Sequence, residues 1–164
     1  MKKTKKSRQK PTINTFRLRQ EFSALVLSCG RLWELRPLGN GQVEMPIVTA
    51  TTMTAFGCEI GFKYLIWTDQ EEWIDIHKLD NLFNKLSTER RDDIRSALSM
   101  NDQLIQQHLK AARDSFTEWR YFFEHDSNKL TAITANVMFL QRLLHALDQV
   151  IQQRFPTESP IEAG

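Results

Sequence analysis

Glycine and proline are scarce in this chain, with six and five among 164 residues. A turn-rich β fold uses more of both, so their scarcity favours long helices. Cysteine is limited to Cys29 and Cys58, and neither lies at a metal-ligand spacing. A small disulfide-rich scaffold is therefore excluded, and two free thiols in a reducing cytoplasm are expected. No apolar run is long enough to cross a bilayer.

Several enzyme signatures are also missing. The four histidines form neither an i, i+4 pair nor a metal-binding cluster. There is no glycine-rich phosphate loop and no nucleophile motif around a serine or cysteine. The sequence therefore predicts no metal and no cofactor, and it leaves few kinds of catalysis open.

The positive charge is concentrated at the start of the chain. Residues 1–10 carry six basic side chains and no acidic one, so the remainder holds 16 basic and 20 acidic residues, a net charge of −4. Residues 1–11 are expected to form a flexible arm, which either keeps the protein soluble or attracts RNA phosphates. The candidate nucleic-acid-binding residues are Lys2, Lys3, Lys5, Lys6, Arg8 and Lys10.

The run Phe22–Cys29 follows this basic stretch and faintly resembles a bacterial lipoprotein signal ending in cysteine. Charged residues at Arg17, Arg19 and Glu21 crowd the run, which is also short for a signal core. The cytoplasmic interpretation is therefore preferred, with the signal as its alternative.

Hydrophobic periodicity predicts an all-α bundle of about five helices. A single domain over residues 12–155 precedes a polar tail at 156–164, and residues 36–45 are expected to form a loop. Ser87 or Thr88 and Asn101 or Asp102 are candidate helix caps. Helices are predicted over residues 13–35, 46–67, 76–86 and 87–98, and continuous apolar seams run from Ile105 to Phe123 and from Ile133 to Ile151.

The two long helices should pack as an antiparallel pair, because only the short polar break Asp126–Asn128 separates them. The last helix carries further apolar residues off its main seam. This wider face suggests a second partner, for which another copy of the chain is one candidate. These residues are Met138, Phe139, Leu143 and Val150.

The segment 46–67 has a mixed signal. Its threonines favour a strand by propensity, whereas its apolar residues recur every three or four positions. Glu59 and Lys63 stand at the i, i+4 spacing of a helical ion pair, which supports the helix. That pair could lie on the surface, where it would contribute little, or be buried between Ile60 and Tyr64.

Arg120 and His125 are the candidate catalytic residues. Their chemistry would be metal-free RNA cleavage, in which an imidazole moves the proton of the ribose 2′-hydroxyl and a guanidinium stabilises the phosphate. Five residues on a regular helix separate two side chains by about 140°. The two would therefore meet only where the helix ends, or across a dimer.

Each of these candidates also has a purely structural interpretation. Arg120 could pair with Glu124 or Glu118 at a helix end, with His125 on the surface. His77 could be a loop or capping residue, or a second imidazole near the site.

Taken together, four segments resemble the HEPN superfamily of small helical bundles, which includes RNA-cleaving toxins and many non-catalytic members. The resemblance covers residues 46–150, and order and spacing carry it. The segments are Glu59–Leu65, the "His-x-Leu-x-x-Leu"-like helix His77–Phe83, the charged helix Glu89–Ile94, and Trp119–Glu124, which matches "Arg-Tyr-x-x-Glu".

The resemblance implies that Arg120 and His125 occupy the nuclease motif Arg-x4-6-His. Tyr121 and Glu124 would orient them, and Glu59, Lys63 and His77 would support the site. It also implies a bundle that often dimerises, and a role in toxin–antitoxin or anti-phage systems, with an antitoxin as a possible partner. One departure is Tyr121, because catalytic members usually have a polar residue straight after the arginine.

The residues and the resemblance lead to two functional hypotheses, an enzyme and an interaction module. The first is a HEPN-like endoribonuclease of a toxin or defence system, aided by the basic arm. The second is a non-catalytic dimeric interaction module in which Arg120, Tyr121 and Glu124 serve the fold. Whether the protein is an enzyme stays open, and a regulator that binds nucleic acid through the arm alone is a third, weaker possibility.

Overall fold

The computed structural model describes residues 12–112 and 130–156, with side chains described for 12–112 and 137–156. An all-α bundle is confirmed, with six helices in these residues where about five were expected, and one small hairpin. The helices are α1 (Thr15–Leu32), α2 (Ile47–Gln70), α3 (Leu79–Lys85), α4 (Thr88–Leu98), α5 (Asp102–Ala112) and α6 (Leu130–Arg154); the strands are β1 (Arg36–Pro37) and β2 (Val43–Glu44).

Helix α1 begins at a side-chain cap. The Asn14 Oδ1 atom accepts the Arg17 backbone N–H at 2.9 Å, which satisfies one of the free donors of the first turn. The apolar run from Phe22 to Cys29 lies within this helix, with both named side chains buried against the core.

The predicted loop 36–45 contains a short antiparallel hairpin. Pro37 faces Val43, and Arg36 faces Glu44. Gly39 and Gly41 have φ angles of +73° and +81° at its turn. Glycine adopts this left-handed backbone without a Cβ clash, so the Gly-Asn-Gly sequence is what lets the chain reverse here.

Helix α2 is the central element, and it contacts α1, α3 and α6. Its threonines do not break it, because Thr51 Oγ1 and Thr54 Oγ1 each donate to a backbone carbonyl one turn back at 2.7 Å. A Cβ on Gly61 would lie 2.7 Å from the Phe22 ring, so glycine here lets α1 pack closely on α2. The helix interpretation of this segment is thus confirmed, and the helix runs three residues past Trp67.

The later helix ends agree with the predicted caps in part. Ser87 Oγ accepts the Arg90 N–H at 3.3 Å, and Asn101 Oδ1 accepts the Leu104 N–H at 2.9 Å. Helix α2 ends at Gln70 and helix α3 begins only at Leu79, so the loop between them occupies residues 71–78, three residues later than the predicted loop 68–75.

Helices α5 and α6 pack against each other, and His108 of α5 stacks on Phe139 of α6 with ring centroids 4.8 Å apart. Arg142 of α6 donates to the Leu98 carbonyl at the end of α4. Three of the four off-seam residues of α6 are buried in this molecule, namely Phe139, Leu143 and Val150. The wider apolar face therefore covers the protein's own core, and only Met138 remains exposed. The predicted break at 126–128 lies outside the described residues.

Candidate functional site

A cluster of polar side chains lies where the loop 71–78 passes back along α2. Glu59 and Lys63 project from one face of α2, one turn apart. Glu71 ends that helix with a left-handed backbone at φ 51°, after which the chain brings Trp73 and His77 against the same face. These four residues, Glu59, Lys63, Trp73 and His77, are called the Glu59 cluster below.

One carboxylate oxygen is the centre of this cluster. Lys63 Nζ donates to Glu59 Oε1 at 2.7 Å, and His77 Nδ1 lies 2.9 Å from the same oxygen. The side chains of Glu59 and Lys63 are only 3% and 5% exposed. The Lys63 ammonium also lies 5.4 Å from the centre of the Trp73 ring, close enough for a cation–π contact.

The second oxygen of Glu59 is buried and has no hydrogen-bond partner among the described residues. A buried carboxylate oxygen without a partner costs free energy, so Glu59 is held in place by its other contacts.

His77 joins this buried carboxylate to the solvent, since its side chain is 65% exposed. When Nδ1–H donates to Glu59, the neutral ring carries its lone pair on Nε2. That atom lies 3.8 Å from Asp75 Oδ1. A carboxylate that orients an exposed imidazole is the arrangement expected of a general acid or base.

The predicted site residues separate into two groups. Glu59, Lys63 and His77 lie together, and the Glu59–Lys63 pair is buried rather than on the surface. His77 lies in the loop 71–78, which agrees with its interpretation as a loop residue; it is not a cap, because Lys78 occupies the N-cap of α3. Other predicted residues fall outside the described ranges: Arg120, Tyr121, Glu124 and His125, and the arm residues Lys2, Lys3, Lys5, Lys6, Arg8 and Lys10.

Sequence reasoning missed Trp73 and Asp75. Hydrophobic periodicity predicts residues 68–75 only as the connection between two helices, although a tryptophan between acidic residues and close to a histidine is a usable signal. The contact of Trp73 with Lys63 depends on how the loop returns along α2, and hydrophobic periodicity does not reveal that path.

A second charged cluster, the Arg90 network, joins the ends of α2, α4 and α6. Arg90 bonds to Asp69 at 3.2 Å and to Asp93 at 2.9 Å, and Arg154 bonds to Asp93 at 2.6 Å. Burial lowers the pKa of the Arg90 guanidinium, but the bond to Asp93 and the charges of its acidic neighbours outweigh that and raise the pKa overall. The network consists of Asp69, Glu89, Arg90, Asp93 and Arg154.

Within residues 12–112 and 130–156, no group of three or more histidine, cysteine or acidic side chains could hold a metal ion. No helix in the same residues has both the length and the apolar character to span a membrane. Comparison with family models, curated proteins and solved structures found no match to this chain.

Proposed function

We propose that this protein is a HEPN-like, metal-independent endoribonuclease of a toxin or anti-phage defence system. One observation carries the proposal: the buried Glu59 carboxylate holds the exposed His77 imidazole at 2.9 Å. An imidazole with one nitrogen held and the other basic can accept or donate a proton near neutral pH.

The proposed reaction needs one base, one acid and one cation. The base takes the proton from the ribose 2′-hydroxyl, and the oxygen attacks phosphorus to form a cyclic phosphate. The bond from phosphorus to the 5′-oxygen breaks, and that oxygen takes a proton from the acid. His125 and His77 are the two imidazoles in this scheme, and the Arg120 guanidinium stabilises the charge on the phosphate oxygens.

The other predicted residues have supporting roles in this proposal. Tyr121 and Glu124 orient Arg120, and the basic residues of the arm raise the local concentration of RNA by neutralising phosphates. The free, buried thiols of Cys29 and Cys58 agree with a cytoplasmic location, where thiols stay reduced. An antitoxin would be a protein that covers the exposed imidazole.

The test is RNA cleavage by purified protein in EDTA, with Arg120→Ala, His125→Ala and His77→Ala variants. The proposal expects each variant to lose at least about 100-fold in rate, as removal of an acid–base group does. The matched control is His108→Ala, since His108 stacks on Phe139 away from the Glu59 cluster. Cleavage that is equal in all variants would come from a contaminating nuclease and would defeat the proposal.

A non-catalytic dimeric module is the second candidate. It is favoured by apolar side chains on the hairpin and its flanks that stay exposed: Leu35, Leu38, Val43 and Met45. Exposed apolar groups next to each other are typical of interaction surfaces, and a second copy of the chain is the proposed occupant.

Size-exclusion chromatography with light scattering tests this candidate, because it measures the molar mass of the protein in solution. A module of this kind elutes as a dimer, and Leu38→Glu with Val43→Glu converts it to a monomer. Phe16→Glu is the control, because Phe16 is equally exposed but lies in the first turn of α1, far from the hairpin. A monomeric wild-type protein would exclude the dimeric module.

A further inference from the structure

A cavity of about 480 Å³ opens between α1, α2, α4 and α6, away from the Glu59 cluster. Its size is within the range of pockets that hold small organic ligands. Nothing in the proposed ribonuclease reaction uses this cavity, so its role is a separate question.

The cavity has an apolar interior. Val26 of α1, Leu98 of α4 and Leu144 of α6 supply aliphatic walls, and the buried Cys29 adds its thiol. Burial raises the pKa of the Cys29 thiol, which keeps that group neutral at physiological pH. An uncharged lining of this kind accommodates an aromatic or aliphatic body.

One wall of the cavity is an indole held in a fixed position. Trp33 Nε1 donates to Thr54 Oγ1 at 3.0 Å, and that hydroxyl donates in turn to the Ala50 carbonyl at 2.7 Å. This chain of bonds ties the ring at the end of α1 to α2. A ring held in this way loses little conformational freedom when a ligand packs against it.

The rim has one sign of charge. Arg142 and His145 project from α6 three residues apart, and Gln149 follows one turn later. Arg142 is already oriented, because its Nη2 donates to the Leu98 carbonyl at 2.7 Å. Among the described residues, no aspartate or glutamate lines the cavity, and none pairs with Arg142.

We propose that this cavity binds a small organic anion, with its aromatic or aliphatic body between Trp33 and Leu144 and its anionic group on Arg142. A guanidinium anchored by one nitrogen still has donors for a carboxylate, sulfonate or phosphate. The lining residues that the structure describes include no acidic group to attract a cation.

Fluorescence titration with anilinonaphthalene sulfonate tests the proposal, beside neutral phenylnaphthylamine, which has the same rings without the sulfonate. Arg142→Gln should weaken binding of the sulfonate about tenfold, the effect of one charge-assisted hydrogen bond, and should leave the neutral dye within about twofold. Equal affinity of wild type and Arg142→Gln for the sulfonate would overturn the anionic part of the proposal.

The cavity itself is tested with Gly30→Leu and its matched control Gly30→Ala. A Cβ at Gly30 meets no atom within 4 Å, so both variants should fold, and only the larger side chain should fill the cavity. Gly30→Leu should weaken both dyes about tenfold or more, while Gly30→Ala should not. Ala97→Leu, on the wall that α4 supplies, repeats the test should Gly30→Leu lower the melting temperature.

Dye bound on the outer surface would give a different result. In that case the affinities would fall in Phe16→Ser, whose ring is 71% exposed at the start of α1, and would be unchanged in both cavity-filling variants. That outcome would overturn the proposal.

Discussion

Two charged clusters share helix α2 and differ in how deeply their charged side chains are buried. In the Glu59 cluster the carboxylate is almost fully buried, and one of its oxygens has no partner among the described residues. In the Arg90 network every charged group that is partly buried has an opposite charge within 3.4 Å. The deeper burial makes the Glu59–Lys63 pair the more costly of the two clusters to disrupt.

The Arg90 network has a clear mechanical role. Arg90 of α4 connects Asp69 at the end of α2 with Asp93, and Arg154 brings in the end of α6. The ring of Phe155 lies under the Arg90 guanidinium and against Tyr64, so apolar packing supports the same junction. This cluster joins three helices, whereas the Glu59–Lys63 pair lies within α2 and is contacted by Trp73 and His77 of the loop 71–78.

The largest expected effect is the loss of the cation that pairs with Glu59. Lys63→Met should lower the free energy of unfolding by about 3–5 kcal/mol, because it leaves a buried carboxylate without its ammonium. Urea denaturation, monitored by circular dichroism, measures this change in the free energy of unfolding.

The double variant Glu59→Gln with Lys63→Met is the control for this change. Because it removes both charges, it should be more stable than Lys63→Met alone. A double variant that is less stable than the single one would show that the buried charge is not the cause.

Arg90→Met should have the next largest effect. Arg90 is 11% exposed and bonds to Asp69 and Asp93, so a loss of about 1–2 kcal/mol is expected, between the values for surface and buried pairs. Methionine keeps an apolar contact with Phe155, so the measured loss of stability reflects the missing charge and not the missing packing. A loss as large as that of Lys63→Met would remove the distinction between the two clusters.

Salt should separate the two variants further. Raising the ionic strength from about 0.1 to about 1 M shortens the screening length from roughly 10 to roughly 3 Å. The cost of Arg90→Met should then fall by about half, because its partners are partly exposed, while the cost of Lys63→Met should change little. Unfolding curves at both salt concentrations provide the measurement. If the two losses of stability depended equally on salt, the distinction between a buried pair and a partly exposed network would be contradicted.

The smallest effect is expected for Arg154→Gln. Its bond to Asp93 raises the pKa of the Arg154 guanidinium, but the side chain lies in solvent, and its charge is readily replaced by water and counterions. Thermal melts should place this variant between wild type and Arg90→Met. A larger loss than for Arg90→Met would mean that Arg154 is the main link to α6.

Much of the fold could be predicted from local signals. The caps at Ser87 and Asn101 depend on side chains that bond within three residues, so the sequence contains all of the relevant information. The helical state of α2 was also predictable, because the period of its apolar residues outweighs its threonine content.

The candidate site was only partly predictable. The i, i+4 spacing indicated that Glu59 and Lys63 pair, but not that they are buried, because burial depends on the return of loop 71–78. The contact of His77 with Glu59 spans 18 residues and requires α2 to end at Gln70, three residues later than predicted. The hairpin at residues 36–44 was missed because each strand has only two residues.

The central claim is metal-free cleavage of RNA through the 2′-hydroxyl, and the ends of the products test it most directly. Wild-type protein in EDTA should cut RNA to leave a cyclic phosphate on one fragment and a 5′-hydroxyl on the other. A single 2′-deoxy substitution should abolish cleavage at that position, because the attacking oxygen is missing. No cleavage in EDTA, or products with 5′-phosphate ends, would contradict the account.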